Sequence, residues 1–192
     1  MEKEVITAVA LGVGLAASCG FRVFVPLLVA SIAARTGVFP LNESFQWLAS
    51  WPAIISFGTA TIVEIGAYYI PFVDNLLDTI TTPLAIGAGT LLVTSVLPMD
   101  NDLLKWITGL IVGGGAAATI QGGSVLTRLA SSKLTAGAGN PVVATGEHAA
   151  SIGSSLLTLV SPLLIAVIFF LLIVFILFKL RKRLMKKRAH PS

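Results

Sequence analysis

An apolar run of about thirty residues, Val5 to Ala34, opens the chain and contains one strong charge, Arg22, set between Gly20 and Pro26. An arginine in the middle of such a run cannot easily reach water, so the run either tilts steeply through a bilayer or breaks and resumes as a second segment. Five further apolar stretches follow: Pro52 to Phe72, Pro83 to Leu97, Leu103 to Ile120, Val142 to Leu157 and Pro162 to Leu180. Each approaches the roughly 20 residues that a helix needs to cross hydrocarbon, and the third and fifth are the shortest. With 55% hydrophobic and 11% charged residues in 192, the chain holds more apolar surface than a soluble domain of its size can hide. The expected fold is an all-α integral membrane protein with about six membrane-inserted helices, some broken or short.

Basic residues set orientation. Under six crossings, Lys3, Arg128, Lys133 and the tail residues Lys179, Arg181, Lys182, Arg183, Lys186, Lys187 and Arg188 fall on one side, while Arg35 and Lys105 fall on the other. That predicts a multi-pass protein of a bacterial inner membrane with both termini cytoplasmic. Residues 1–180 form one transmembrane domain and 181–192 a basic cytoplasmic tail, which reads as a topology anchor near lipid head groups and not as a nucleic-acid arm. Phe39, Phe45, Trp47 and Trp51 suit the head-group zone opposite the cytoplasm. Cys19 follows "GLAAS", but the leading "MEKE" lacks the positive charge of a signal peptide, so the thiol reads as a packing residue.

Shifted by 100 residues, "GLAASCGFRVFVPLLVASIAARTG" falls on "GGAAATIQGGSVLTRLASSKLTAG", with Gly14, Ala16, Ala17, Ala30, Ser31 and Gly37 meeting identical residues. Both halves then carry an acid-bearing segment, Glu64 or Glu147, and a Pro-Leu segment at Pro83 or Pro162. Repeats of about 5–98 and 103–180 with three helices each must insert with opposite orientations, the inverted plan of many transporters. From Glu64 a polar stripe of Tyr68, Asn75, Asp78, Thr79 and Thr82 is expected on one helix; from Glu147 the stripe is Ser151, Ser154, Ser155, Thr158 and Ser161. Such stripes either line a path or hold helices together.

Glu64 and Glu147 at membrane depth must be paired, protonated or wet, and Arg22 is the candidate cation. Asp74 and Asp78 lie one turn apart, as ligands of a pathway cation or as groups solvated near the cytoplasmic end. Asn140-Pro141, after Gly137 and Gly139, predicts a second helix break like the one at Pro26, freeing backbone groups and the Asn140 amide to join Glu147 at one buried locus. His148 points about 100° away from Glu147 on a helix, and a second histidine at ligand spacing is missing, so no metal site is expected. Without a nucleotide loop, a nucleophile elbow or a metalloprotease motif, the sequence predicts neither catalysis nor a cofactor.

The segments "GFRVFVPLLVASIAARTG", "VEIGAYYIPFVDNLLDTI" and "AGNPVVATGEHAASI" resemble a bacterial membrane family known as domain of unknown function 4126. That resemblance implies that Arg22, Pro26, Glu64, Asp74, Asp78, Asn140, Pro141 and Glu147 lie in the family's signature segments, and it implies no substrate. The expectation is a small transporter or channel passing an ion or polar solute along Arg22, Glu64, Asn140 and Glu147, driven by protons through a carboxyl. The alternatives are a scaffold that uses these charges as a lock, and a lipid-binding or lipid-translocating protein in which Arg22 or Arg128 reads a phosphate. The expected partners are membrane lipids and the solute, not nucleic acid; small-residue faces such as "GVGLAAS" also allow a homodimer.

Overall fold

The first apolar run breaks around its charge. Helix α1 (Glu2–Ser18) stops before Arg22 and α2 (Phe24–Arg35) starts after it, with Pro26 in the first turn of α2, where its missing N–H leaves no bond unmade. A computed structural model describes residues 2–70, 73–135 and 137–189, and the side chains of Asp74, Asn75, Leu180 and 183–189 lie outside that description. Among the described residues the chain is all helix, without a strand. A 3-10 helix (Glu43–Ala49) leads into α3 (Trp51–Ala67), followed by α4 (Val73–Thr94). Helix α5 (Asp102–Gly109) runs through one π-helical turn (Leu110–Gly114) into α6 (Gly115–Thr135), and α7 (Asn140–Val160) and α8 (Pro162–Ala189) follow.

Three segments are long and apolar enough to cross a bilayer: Leu76–Thr94, Asp102–Thr135 and Pro162–Lys179. A fourth is reached if the 3-10 helix and α3, bent by 58°, count as one broken span. The count falls below the expected six for two reasons. The first run is two short helices, and α7 buries a face of Asn140, Glu147, His148, Ser151, Ser155 and Thr158 that lowers its hydropathy. Two boundaries also move. Pro83 lies inside α4 and does not start it, and the chain turns at Tyr68–Ile70, so Glu64 belongs to α3 with Tyr68 at its C-cap, while Asp78, Thr79 and Thr82 belong to α4.

Close contacts fix the helix directions. Gly89 of α4 meets Gly113, Thr94 meets Gly109, and Gln121 bonds Thr81 at 3.1 Å, so α4 runs against α5–α6. Ser18 bonds Ser154 at 2.7 Å and Gly14 meets Thr158, so α1 runs against α7. Ala17 packs with Ile165 and Phe169, and Phe21 stacks on Phe169, so α8 runs alongside α1. Helix α2 runs back along α3, with Leu28 near Gly58 and Arg35 bonding the Ala49 carbonyl at 3.1 Å. Helices α2, α4 and α7 thus point one way, and α1, α3, α6 and α8 the other.

The start of α1 and the end of the α8 span therefore lie at opposite ends of the bundle, and not on one face as the basic-residue count predicts. That count treats the first run as a full crossing, whereas the run doubles back at Arg22. The aromatic loop shares the end where α1 begins: Asn42 donates its backbone N–H to Ser95 O at 2.8 Å, Arg35 lies 4.4 Å over the Trp51 ring, and Phe45 stacks on Trp106.

Backbones meet most closely between α4 and the π-helical turn, where a Cβ on Gly113 would stand 2.1 Å from Gly89 O. In lipid this small-residue contact supplies packing that hydrophobic burial cannot. Gly113→Ala should lower stability by about 1–3 kcal/mol. Gly115→Ala, where a Cβ meets nothing within 4 Å, should be neutral or stabilising. Thermal unfolding in detergent checks this pair, and equal midpoints would contradict the packing described.

Candidate functional site: a carboxylate shared by two arginines

Helix starts and small residues carry the charged groups inward. A Cβ on Gly20 would stand 2.5 Å from Ile120 Cβ and 2.6 Å from Ala117 O, so only glycine lets the end of α1 press onto α6 and turn Arg22 toward α7. The first N–H groups of any helix lack internal partners and attract negative charge. At the start of α2 they find Glu64: Val23 N–H donates to Oε1 at 2.8 Å and Phe24 N–H to Oε2 at 3.0 Å. Glu64 therefore caps α2 from the end of α3 and fixes the turn that holds Arg22.

Arg22 is 1% exposed, and every edge of its guanidinium is engaged. Nη1 pairs with Glu147 Oε2 at 2.9 Å and donates to Phe21 O at 2.7 Å; Nε donates to His148 Nδ1 at 2.7 Å, and Nη2 to Ala144 O at 3.3 Å. Glu147 also takes Arg128 through both Nε and Nη2, and accepts the Ser124 hydroxyl. Arg128 Nη1 lies 3.2 Å from Asp78 Oδ1 as an ion pair but makes no hydrogen bond. Both guanidinium carbons lie over the Tyr68 ring, at 3.8 Å for Arg22 and 4.1 Å for Arg128. The Tyr68 hydroxyl bonds Asp78 and Thr81. Each cation over the ring gains about 0.5–2 kcal/mol.

The expected residues are thus partly gathered. Arg22, Glu147 and Asp78 join one network through Arg128, while Glu64 stands one step away on the backbone of α2. Asp78 is not solvated, since its side chain is 12% exposed. Asp74 lies in α4, but its side chain is outside the described residues. Asn140 does not sit in a broken helix. It starts α7 with Pro141 in the first turn, the bend lies before it where Gly137 takes φ +89°, and its amide donates to Ser132 Oγ at 2.9 Å. Two serines of α7 serve helix contact, Ser154 bonding Ser18 Oγ and Ser151 donating to Ser18 O, while the Ser155 hydroxyl is buried without a hydrogen-bond partner.

Sequence reasoning placed Arg128 among the orienting charges and, in the lipid alternative, as a reader of phosphate, and left it out of the Arg22–Glu147 cluster, yet it is 2% exposed there. Its signal was present: Gln121, Ser124 and Arg128 fall at intervals of three and four and are all buried on one face of α6. His148 was set aside because neighbours on a helix diverge, but a long guanidinium inserts between the two and reaches both. Since Nδ1 accepts, the imidazole proton rides on Nε2, which is buried without a partner.

Beside Glu147 a cleft of about 540 Å3 opens between α6, α7 and α8. Ser124 and Glu147 form its polar side, Phe21, Ile120, Leu172 and Ile176 its apolar walls, and Lys179 lines it at the end of the α8 span. Among the described residues, no three His, Cys, Asp or Glu side chains group closely enough to hold a metal ion.

A family model matches residues 9–182. The chain belongs to the family described as Domain of unknown function (DUF4126). The matched stretch includes every residue of the cluster and the cleft, so the family's own region carries the site. No curated protein and no solved structure matches the chain.

Removing one member of a buried ion pair strands its partner at a cost of about 3–5 kcal/mol. Glu147→Ala should reach that range, because two guanidiniums lose their carboxylate; Ser124→Ala should cost about 1 kcal/mol. Exchanging both Arg22 and Glu147 for Met should recover part of the loss, since Arg128 keeps Asp78. Denaturant titration in mixed micelles measures the series, and equal losses for Ser124→Ala and Glu147→Ala would contradict the shared carboxylate.

Proposed function

We propose that the protein is a small multi-pass transporter of the bacterial inner membrane, which binds an ion or polar solute at Arg22, Glu147 and Arg128. The observation that carries this reading is the single carboxylate bridging two buried guanidiniums beside a cleft. Glu147 takes one guanidinium more than a simple pair would, although Asp78 is at hand for Arg128, and it lines the open space of the cleft. Charges sunk in a membrane domain mark solute or proton pathways more often than they stabilise the fold. A proton delivered to Glu147 would remove the negative charge between the arginines and leave them free for an anionic solute, which links binding to proton movement.

Helix directions support an inverted-repeat plan. Helices α2, α3 and α4 run opposite in turn to α6, α7 and α8, and α1–α2 enters and leaves at one end, as discontinuous elements of transporters do. Glu64 then has a positioning role, holding the turn that presents Arg22, and Asp78 steadies Arg128.

The test uses purified protein in sealed vesicles, with proton flux followed by an internal pH dye under an imposed potential. Wild-type protein should carry flux, and Glu147→Gln, checked for intact helical signal and monodispersity, should lower it at least tenfold. An Arg22→Met/Glu147→Met protein that folds and carries flux like wild type would reduce the cluster to a structural lock.

A further inference from the structure

The cleft beside Glu147 has an uneven distribution of charge that selects among occupants. Its volume, about 540 Å3, lies within the roughly 300–1,000 Å3 of ligand pockets, and its walls are mainly apolar side chains of α6, α7 and α8. The acidic group that lines it, Glu147, has both oxygens taken by Arg22, Arg128 and Ser124. Lys179 lines the same cleft, and among the described residues its ammonium has no carboxylate partner, lying 5.7 Å over the Phe175 ring. Thr127 also lines it, with its hydroxyl donated to Gly123 O, and Arg181 and Lys182 continue the basic run along α8. The cleft thus presents a greasy slot with one uncompensated positive charge where the α8 span ends, which is where lipid phosphates lie.

We infer that this cleft binds a phospholipid with an acidic head group, one acyl chain lying between α6 and α8 and the phosphate drawn to Lys179. This rests on the reading of the cluster as a binding site, and names the class of molecule that approaches it sideways from the bilayer. A zwitterionic head group carries its own cation and gains less from Lys179, so the preference is electrostatic and separable from the fit of the chain.

Two variants separate those contributions. Gly146 lines the cleft, and a Cβ there meets nothing within 4 Å, so Gly146→Leu fills the slot without a clash at its root. Lys179→Gln removes the charge alone. Protein in non-ionic detergent is titrated with phosphatidylglycerol and with phosphatidylcholine of the same acyl chains, and bound lipid is read by native mass spectrometry. Wild type should bind phosphatidylglycerol about fivefold tighter. Lys179→Gln should lose most of that preference, with Arg181 and Lys182 left beyond the cleft, and Gly146→Leu should lose both lipids while keeping its lipid-free unfolding midpoint. Equal binding of the two lipids by wild type, or wild-type binding of phosphatidylglycerol by Gly146→Leu, would overturn the inference. Neither result bears on the flux lost in Glu147→Gln vesicles, so the lipid site can fail while the transport reading stands.

Discussion

One carboxylate holds the buried charges of this helical domain together. Glu147 meets Arg22 from the α1–α2 turn and Arg128 from α6, and with Asp78 beyond Arg128 the network ties four parts of the chain at one depth. In hydrocarbon each of these groups alone would cost several kcal/mol, so each is tolerable only because the others are present. Much of the surrounding structure follows from that constraint. The first helix stops so that Arg22 can turn inward, Glu64 caps the helix that restarts, and Tyr68 covers both guanidiniums with its ring.

The scaffold around this network is made of small residues. Gly20 against α6, Gly14 against Thr158 and Gly89 against Gly113 bring helices into close contact, and beside Gly14 the Ser18 hydroxyl and carbonyl bond Ser154 and Ser151 of α7. Helix α7 shows the division of labour. Its C-terminal half meets α1 through Ser151, Ser154 and Thr158, while its N-terminal half carries Glu147 and His148 to Arg22. Packing and charge pairing thus share one helix face.

The sequence reveals some of this and conceals the rest for physical reasons. Composition and apolar runs suffice for an all-helical membrane domain, and Arg22 flanked by Gly20 and Pro26 marks a break, because a buried cation beside two helix-disfavouring residues has few other outcomes. Arg22 and Glu147 are legible as site members since charges are rare in such a chain. Arg128 was hidden because a basic residue near a helix end has the same appearance whether it faces a head group or a neighbouring acid. The course of the chain was hidden too: six runs suggest six crossings, and nothing in Val5–Ala34 tells whether the chain crosses onward after its break or returns to its own side. Asn140-Pro141 reads as a break, yet proline at the start of a helix serves equally well, and only the position of the preceding turn separates the two.

The central claim is that a single side chain is bonded to both guanidiniums in a bilayer. Solid-state NMR on protein reconstituted in lipid, with the Glu147 carboxyl carbon and the arginine guanidinium nitrogens isotopically labelled, measures it directly. Short dipolar contacts from Glu147 to nitrogens of both Arg22 and Arg128, within about 4 Å, are the predicted result. A carboxyl in contact with only one arginine, or exchanging freely with bulk water and touching neither, would contradict it.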